Sequence, residues 1–354
     1  MKSSPTLRDL AAHVGVSIYS VSLALRGASQ VSPALRERVT AAASELGYRP
    51  NPTIAALMRS IRAKSGVPRL TTLALVVPLR KPDWLGKHRY MAEIAEGVKA
   101  RCATLGFGYE QFITPFDRPI SGSMGRVIKA RGVDGVIIGP QYESDLEIEL
   151  DFPNLAYVAV GLTFNQVAAH RVTTTTLLNI RHALEHTLAL GWSRPGIMLT
   201  DRDNDLVENM MLGAYLGFLH RRIERPPAPF IFKESEFTKE NVLAWVRREG
   251  VNAVLCSRAI VATWMREAGI NVGKDVAFAL LDRPRQSTEF AGVVQQLDHV
   301  GGAAVAVLGE LIHSNQRGVP ETPRVVEVEG VWQDGPSMPL YPGFACERRS
   351  LITA

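Results

Sequence analysis

Two histidines and a glutamate in one stretch of the chain have the residue types and spacing of a metal site. His182, Glu185 and His186 fit the pattern H-x-x-E-H, in which two histidines on one helix face bind zinc and the glutamate acts as a base. The stretch also has the apolar period of a crossover helix between strands, and no third ligand is evident in the sequence. We therefore expect neither a metal nor a cofactor.

Other enzyme motifs are incomplete or missing. The segment GINVGKD, residues 269–275, is one residue shorter than a P-loop and has Asp275 where a Ser or Thr is required. The sequence contains neither the G-x-S-x-G motif of hydrolases nor a G-x-G-x-x-G motif after a strand. We therefore do not expect an enzyme.

Hydroxyl and carboxylate side chains near the N-terminus are spaced to cap helices. Thr6 and Asp9 form a potential capping box, and apolar residues then recur at helical spacing as far as Gly15. Ser17 is a suitable N-cap for a second helix. The inner face of that helix would consist of Val21, Ala24 and Leu25. Two short helices joined through a glycine turn predict a helix-turn-helix, whose second helix presents its outer face to the DNA major groove.

A third helix and a linker follow the predicted helix-turn-helix. Ser32 and Pro33 suit the N-cap and the first position of a helix that Gly47 would end. Residues 53–62 form a short basic helical segment that is too small to fold alone, and residues 64–70 have the composition of a linker. The N-terminal part of the chain is therefore predicted to be all-α.

Positive charge is concentrated in this N-terminal part. Residues 1–65 contain nine Lys or Arg and three Asp or Glu, a net charge of +6, whereas the whole chain carries +5. A basic head on a nearly neutral body is typical of a phosphate-binding module joined to a partner-free domain. On charge alone, a chance clustering of surface lysines and arginines is the alternative.

Short apolar runs with β-propensity alternate with helical stretches in the rest of the chain. The runs are TTLALVVP, GFGYEQFIT, DGVIIGP, LAYVAVG, RPGIMLT, PFIFK, NAVLCS and DVAFALLD. This alternation predicts an α/β fold with two doubly wound parallel sheets, each flanked by helices. Two such lobes leave a cleft that can close on a small molecule beyond the carboxyl ends of the strands.

The composition is that of an ordinary globular protein. Of 354 residues, 46% are hydrophobic and 21% are charged, and no run approaches the roughly 18 apolar residues of a membrane span. Cys102, Cys256 and Cys346 are too far apart for a disulfide framework and suit a reducing compartment. Because the N-terminus also lacks the features of a signal peptide, we expect the protein in the cytoplasm, with no membrane partner.

The segments VSIYSVSLALRG, VSPALRERV and LGYRPN resemble, at the same relative spacing, the head and hinge of the lactose-repressor (LacI/GalR) family of bacterial transcription regulators. The rest of the chain is similar, more loosely, to that family's two-lobed periplasmic-binding-protein-like core. The resemblance implies a helix-turn-helix DNA-binding domain at residues 1–50, a hinge helix and linker at residues 51–70, and a ligand-binding and dimerisation core at residues 71–354.

The resemblance also implies which residues contact DNA. Ile18, Tyr19 and Leu23 match positions that contact base edges, although an Arg is common at position 23 and Leu offers only apolar contact. The alternative for Ile18 and Leu23 is burial in the head. Positions that bind phosphates through hydroxyls correspond to Thr6, Ser17, Ser20, Ser22 and Ser32, which could instead serve only as helix caps. Arg26 stands where Asn is frequent and would add a positive charge against phosphate.

In the hinge, the resemblance implies a helix that forms on the operator. Asn51 matches a position at the start of this helix, and Leu57 matches a leucine that inserts into the minor groove and kinks the duplex. Packing against the hinge helix of a second subunit is the alternative role for Leu57, and the two roles are compatible.

For the effector site, the resemblance points to the loop after the first strand, to Asp282 and to Gln295. Asp282 suits a sugar hydroxyl and Trp84 could stack on a pyranose. The complete set of predicted effector-binding residues is Trp84, Arg89, Tyr90, Arg258, Asp282 and Gln295. An acidic effector is the alternative, since Arg80, Arg89, Arg258 and Arg283 lie in these loops, unless these arginines are simply solvated.

We therefore predict a homodimeric, sequence-specific DNA-binding transcription regulator that acts as a repressor. Its affinity for double-stranded operator DNA would be controlled by a sugar-like or acidic effector bound between the lobes. The alternative is a solute-binding or sugar-processing protein with a vestigial head. The tail from Pro336 to Ala354 either wraps the second lobe or is disordered.

Overall fold

The computed structural model describes residues 5–25, 30–46, 48, 71–78, 89–114, 123–140, 155–163, 168–342 and 344. The head contains α1 (Leu7–Val14), α2 (Ile18–Leu25) and α3 (Pro33–Leu46). The predicted domain boundaries at residues 50 and 70 and the predicted hinge helix lie outside the described residues.

The capping box at the start of α1 is formed as predicted. The Asp9 backbone N–H donates to Thr6 Oγ1 over 3.3 Å, and the Thr6 N–H donates to Asp9 Oδ2 over 2.7 Å. At the other end, Gly15 has a φ of 76°, which places it in the left-handed region that favours glycine. The sequence therefore defines both ends of α1 through local hydrogen bonds and backbone conformation.

The other two helices of the head also begin at the predicted caps. The Ser20 N–H donates to Ser17 Oγ over 3.0 Å, and the Leu35 N–H donates to Ser32 Oγ over 3.3 Å. The three helices enclose a small apolar core, whose buried residues are Leu10, Ala11, Val14, Val21, Ala24, Val31, Val39 and Ala42. The predicted three-helix head is therefore confirmed within the described residues.

The body contains two six-stranded sheets flanked by helices. The strands are β1 (Thr72–Pro78), β2 (Gly108–Thr114), β3 (Val133–Ile138), β4 (Ala156–Val160), β5 (His170–Thr174), β6 (Pro195–Thr200), β7 (Phe230–Phe232), β8 (Ala253–Cys256), β9 (Ala277–Leu280), β10 (Ala291–Val294), β11 (Val325–Val328) and β12 (Val331–Gln333). The helices are α4 (Arg89–Leu105), α5 (Ser123–Ala130), α6 (Thr176–Ala189), α7 (Asp201–Leu206), α8 (Met210–Leu219), α9 (Lys239–Glu249), α10 (Ile260–Glu267) and α11 (Leu297–His313).

The strand orders define two lobes. The first sheet has the order β11-β5-β4-β3-β1-β2, and its described pairs are all parallel. The second sheet has the order β12-β10-β9-β8-β6-β7. The prediction of two wholly parallel sheets is wrong for one edge, because β12 runs antiparallel to β10. The two-lobed α/β fold itself is confirmed.

All eight strands predicted from apolar runs are present, and the described residues contain four further strands that were not predicted. The four are β5, β10, β11 and β12, with the sequences HRVTT, AGVV, VVEV and VWQ. They are short, and β5 is rich in threonine, so an apolar run of four to eight residues does not mark them. These strands lie beside the places where the chain crosses between the lobes.

Two helices of the first lobe meet through glycines. A Cβ atom placed on Gly97 of α4 would lie 1.9 Å from the Asp298 carbonyl oxygen of α11. A Cβ atom placed on Gly301 would lie 2.2 Å from the Ile94 carbonyl oxygen. Because real Cβ atoms do not approach oxygen so closely, these contacts require glycine at both positions. The first turn of α11 is therefore fixed against α4.

The start of the tail wraps the second lobe, which is one of the two predicted alternatives. Ser337 and Met338 are buried, and Ser337 Oγ donates to the Phe278 carbonyl over 2.6 Å. The Trp192 indole donates to the Pro339 carbonyl over 2.7 Å. Residues 343 and 345–354, which include Cys346, lie outside the described part of the chain.

Within the residues that the structure describes, no helix combines the length and apolar character needed to span a bilayer.

We expect Gly301→Ala to lower the free energy of unfolding by about 1 to 3 kcal/mol, because the new methyl group forces α11 away from the backbone of α4. The measurement is urea unfolding of the full chain. Gly302→Ala is the matched control, since its Cβ would lie 3.8 Å from the Cβ of Arg101, at ordinary contact distance. A helical Gly→Ala exchange without a clash stabilises by about 0.5 to 1 kcal/mol. Equal unfolding free energies for the two variants would contradict the tight helix contact.

Candidate nucleic-acid interface and effector cleft

The outer face of α2 carries exposed apolar side chains. Ile18 is 43% exposed and Tyr19 is 68% exposed, whereas Val21 and Ala24 of the same helix are buried. The exposure of Ile18 and Tyr19 agrees with the predicted inner face of this helix, which does not include them. Apolar and aromatic side chains at the surface of a helix-turn-helix can contact thymine methyl groups in the major groove.

Leu23 is less exposed than Ile18 and Tyr19. Its side chain is partly buried and packs against the apolar core of the head. Helical spacing places Leu23 on the opposite side of α2 from Val21, but spacing gives no information about the neighbours that cover that side. The alternative of burial therefore holds in part for Leu23, and its contact with base edges stays a prediction.

The hydroxyl groups of the predicted phosphate contacts are already used as caps. Thr6, Ser17 and Ser32 are exposed, and each accepts a backbone N–H three residues ahead. The Thr6 hydroxyl also donates to Asp9, whose carboxylate would repel a phosphate at short range. Ser20 and Ser22 are half-buried, and Ser20 Oγ lies 2.9 Å from Ser17 Oγ. The capping role is confirmed for Thr6, Ser17 and Ser32, and phosphate binding stays a prediction.

Three further predicted DNA contacts, Arg26, Asn51 and Leu57, lie outside the described residues, as do Arg80 and Trp84 of the predicted effector site.

An ion pair connects the two lobes at the cleft. Arg89 is the first residue of α4 in the first lobe, and Asp282 follows β9 in the second lobe. Arg89 Nη2 lies 2.6 Å from Asp282 Oδ1, and Arg89 Nη1 lies 3.0 Å from Glu93 Oε1. Burial acts to lower the pKa of Arg89, but the two carboxylates outweigh it and raise that pKa. The Arg89 charge is therefore already balanced by protein groups.

The Asp282 carboxylate retains capacity for a hydrogen bond. Its Oδ1 atom is buried against the Arg89 guanidinium, whereas the side chain as a whole is 28% exposed, so part of the carboxylate remains accessible. An ionised carboxylate has about four lone-pair sites, so it can accept further hydrogen bonds beside an ion pair. The accessible part of the carboxylate is therefore suited to accept a hydrogen bond from a ligand hydroxyl.

Polar side chains surround this ion pair. Gln295 follows β10, donates to the Leu281 carbonyl over 3.2 Å and accepts from Thr174 Oγ1 over 3.4 Å. Burial and the Asp282 charge raise the pKa of Tyr90, and a hydrogen bond with Thr174 opposes that shift. Four predicted effector residues, Arg89, Tyr90, Asp282 and Gln295, therefore converge at one place.

Thr174 was missed by the sequence analysis. It is the last residue of β5, and that strand was not recognised in the sequence. Ligands of open α/β sheets bind beyond the carboxyl ends of strands. Recognition of β5 in the sequence would therefore have indicated Thr174 as a candidate.

Arg258 and Arg283 are engaged elsewhere. Arg258 pairs with Glu234, and its guanidinium lies 5.1 Å from the ring centre of Phe237. Arg283 is 2% exposed and donates to carbonyl groups of its own loop. The acidic-effector alternative therefore loses the support of both residues.

The histidines of the H-x-x-E-H segment have separate partners. His182 Nε2 lies 2.7 Å from Glu329 Oε1, and the His186 ring stacks on Trp332 with 4.9 Å between ring centres. Burial lowers the pKa of His186. Among the described residues, no three His, Cys, Asp or Glu side chains are grouped so that they could hold a metal ion. The segment instead ties α6 to the strand region at residues 329–332.

Two of the cysteines are buried free thiols. Desolvation raises the pKa of Cys102 to about 11 and that of Cys256 to about 12. Since the thiolate is the reactive form, neither has the character of a nucleophile at neutral pH.

Comparisons with known proteins match the head to a protein family and find relatives of the chain. Residues 6–51 match the family model of bacterial regulatory proteins, lacI family. The transcriptional regulator CelR of Thermobifida fusca is 35% identical over 162 residues, which is 44% of each chain, so this match spans less than half of that relative. Catabolite control protein A of Staphylococcus xylosus is 21% identical over 340 residues, covering 92% of this chain and 98% of the relative.

Solved structures share the fold over almost the whole chain. The lac repressor dimer bound to operator and the anti-inducer ONPF has a TM-score of 0.58 and 19% identity, and the match covers 95% of this chain and all of that one. A complex of the transcriptional regulator CelR with cellobiose has a TM-score of 0.56 and 22% identity, with 94% and 99% covered.

We expect the stability of α1 to depend on pH through Asp9. Hydrogen bonds from the backbone and the side chain of Thr6 lower the pKa of Asp9 in the folded head. A group with a lowered folded pKa stabilises the fold above its unfolded pKa of about 3.9, and this contribution is lost as the pH falls through the folded pKa. Amide hydrogen exchange of residues 6–15 should therefore show lower protection at pH 3 than at pH 7. Asp9→Asn is the control and should reduce this difference, and an unchanged difference would contradict the role of Asp9.

Proposed function

We propose that this chain, which carries the helix-turn-helix head of the lacI family and is similar to regulators of that family along its length, is a ligand-controlled transcription regulator. The observation that carries the proposal is the presence, in one chain, of a head with an exposed apolar recognition surface and a cleft lined by convergent polar side chains. The chain would bind double-stranded operator DNA as a homodimer and act as a repressor in the bacterial nucleoid.

The head supports sequence-specific binding. Ile18 and Tyr19 are available for apolar contact with base edges, and the basic character of residues 1–65 supplies attraction to phosphates. Without an arginine at position 23, this surface would favour steps with thymine methyl groups over guanine. The proposed homodimer would present two heads to a pseudo-palindromic site.

The cleft supports a neutral, hydroxyl-rich effector. The Arg89 charge is balanced by Asp282 and Glu93, so a carboxylate ligand would have to displace one of them. A hydroxyl group can donate to the partly exposed Asp282 carboxylate without adding a charge to the cleft. Among the structural neighbours, the CelR complex contains cellobiose, a neutral sugar. We therefore favour a sugar over an acidic compound.

Cleft and head would be coupled through the relative position of the lobes. The effector shifts the equilibrium between lobe arrangements only by its differential affinity for them, typically about 1 to 3 kcal/mol. A solute-binding protein with a vestigial head is disfavoured, because the head retains its caps, its core and its exposed recognition face.

We expect Tyr19→Ala to weaken binding to DNA from the protein's own promoter by about tenfold, because one apolar base contact is lost. Binding to random DNA should be nearly unchanged, since phosphate contacts remain. Gel shifts at two salt concentrations measure both, with the exposed Ser44→Ala of α3 as the matched control.

Deletion of residues 1–65 should abolish binding to both DNAs. Equal weakening by Tyr19→Ala on promoter and random DNA would exclude base contact by this residue. Binding by the intact chain that ignores both sequence and salt would exclude the proposed function.

We expect a neutral sugar, from a panel of sugars and sugar acids, to raise the melting temperature of the full chain. Ligand at 100 times its Kd stabilises the folded state by about 2.7 kcal/mol. Asp282→Asn should remove this shift, because the carboxylate acceptor is lost, and Lys239→Gln, which removes an ion pair with Glu267 elsewhere in the second lobe, is the control that should retain it. A sugar acid whose stabilising effect survives Asp282→Asn would overturn the proposed ligand class.

A further inference from the structure

The loop between β9 and β10, residues 281–290, carries two side chains that reach the first lobe. Asp282 pairs with Arg89 of α4, as described above. Three residues later, Arg285 Nη2 donates to Asp298 Oδ1 in the first turn of α11 and to Gln296 Oε1, each over 2.8 Å. One loop of the second lobe therefore makes two separate charged contacts with the first lobe.

The two partners in the first lobe are fixed relative to each other. Arg89 begins α4 and Asp298 lies in the first turn of α11, and these helices meet at Gly97, where the Asp298 carbonyl fills the space that a Cβ would occupy. Gly301 and Ile94 form a second close backbone contact between the same helices. The positive charge of Arg89 and the negative charge of Asp298 are therefore held at a constant separation.

On the loop itself, the two charges are held in place by Arg283, which lies between them in sequence. The Arg283 side chain is 2% exposed. Its guanidinium donates to the backbone carbonyls of Pro284, Arg285, Ser287 and Phe290 and to the side-chain oxygen of Gln333. Within the described residues it forms no ion pair, so its buried charge is stabilised by carbonyl dipoles alone. Replacing this guanidinium removes every one of these bonds at once.

The pattern of charges matches across the cleft. The first lobe presents Arg89 and Asp298, and the loop presents Asp282 and Arg285 in the complementary arrangement. Sliding one lobe past the other would bring like charges together. Gln296, which also contacts Arg285, has a φ of 54° in the segment that crosses between the lobes. The loop therefore specifies one relative position of the lobes.

We propose that Arg283 is a positioning residue of the cleft, which holds the loop so that Asp282 and Arg285 together latch the second lobe to the first. Asp282 would then belong both to the latch and to the effector site, so that ligand binding acts directly on the lobe equilibrium. The part that concerns the effector rests on the proposed function. The latch itself is measurable without any effector.

The test measures the distance between the lobes in the full chain. Spin labels at Leu105 of the first lobe and Ile231 of the second, both exposed, report the lobe separation by pulsed electron resonance. Cys346 is replaced by Ser, and the labelled chain is diluted with unlabelled chain so that only distances within one chain are seen. The experiment contains no effector and no DNA.

We expect Arg285→Asp and Asp298→Arg each to reduce the population with the latched distance about two- to fivefold, as partly exposed ion pairs do. The double variant, which reverses the pair, should restore it. Arg283→Gln should reduce the population further than either single change, since both charged contacts lose their support. Lys239→Gln, which removes an ion pair within the second lobe, is the matched control and should have no effect.

An Arg283→Gln variant with the wild-type distance distribution and melting temperature would overturn the positioning role. If the Arg283→Gln variant does not fold, the test depends on the charge-reversed double variant of Arg285 and Asp298. A double variant whose latched population stays as low as in the single variants would overturn the latch. Operator binding of the same variants is measured separately. A latch that behaves as expected in a chain that binds no operator would refute the proposed function and leave the latch intact.

Discussion

The constraint on which the rest of the body depends is that one chain supplies both lobes and, within the described residues, passes between them three times. The passages follow β5, β10 and β11. Two of them are tied together by hydrogen bonds, from the Thr175 N–H to the Val328 carbonyl over 3.1 Å and from the Gly330 N–H to Asn179 Oδ1 over 2.9 Å. Since the crossovers lie side by side, the strand ends that line the cleft also meet there.

This constraint explains why the cleft residues come from distant parts of the sequence. Thr174 ends β5, Gln295 follows β10, and Asp282 follows the strand next to β10, so each is delivered by a strand end. Arg89 comes from the helix after β1 in the other lobe. The glycine contacts between α4 and α11 then hold the first-lobe side of the cleft rigid. A change in lobe position must therefore act through the loop at residues 281–290 and the crossovers.

The structure of the head, unlike that of the body, is defined mainly by local interactions. Capping at Thr6, Ser17 and Ser32 begins each helix, and the left-handed Gly15 ends the first. Each of these bonds joins residues three apart, so the sequence alone predicts them. Seven of the eight buried apolar residues of the head lie in its helices, where helical spacing places them on inner faces, and Val31 lies just before α3. For Leu23, spacing was insufficient, since its burial depends on neighbours from elsewhere in the head.

The sequence by itself determined the elements whose cause is local: the capped helices, the strands that are continuous apolar runs, the basic head, and Asp282 and Gln295 as candidates through family resemblance. It did not determine β5, β10, β11 and β12, because these short strands are stabilised by pairing with distant neighbours. Only the tertiary structure decided which charges are available. Arg89, Arg258 and Arg283 look alike in the sequence, yet one balances a cleft carboxylate, one pairs with Glu234 and one is buried among carbonyl groups. The physical reason is that the state of a charged side chain depends on the groups that folding places within a few ångströms of it.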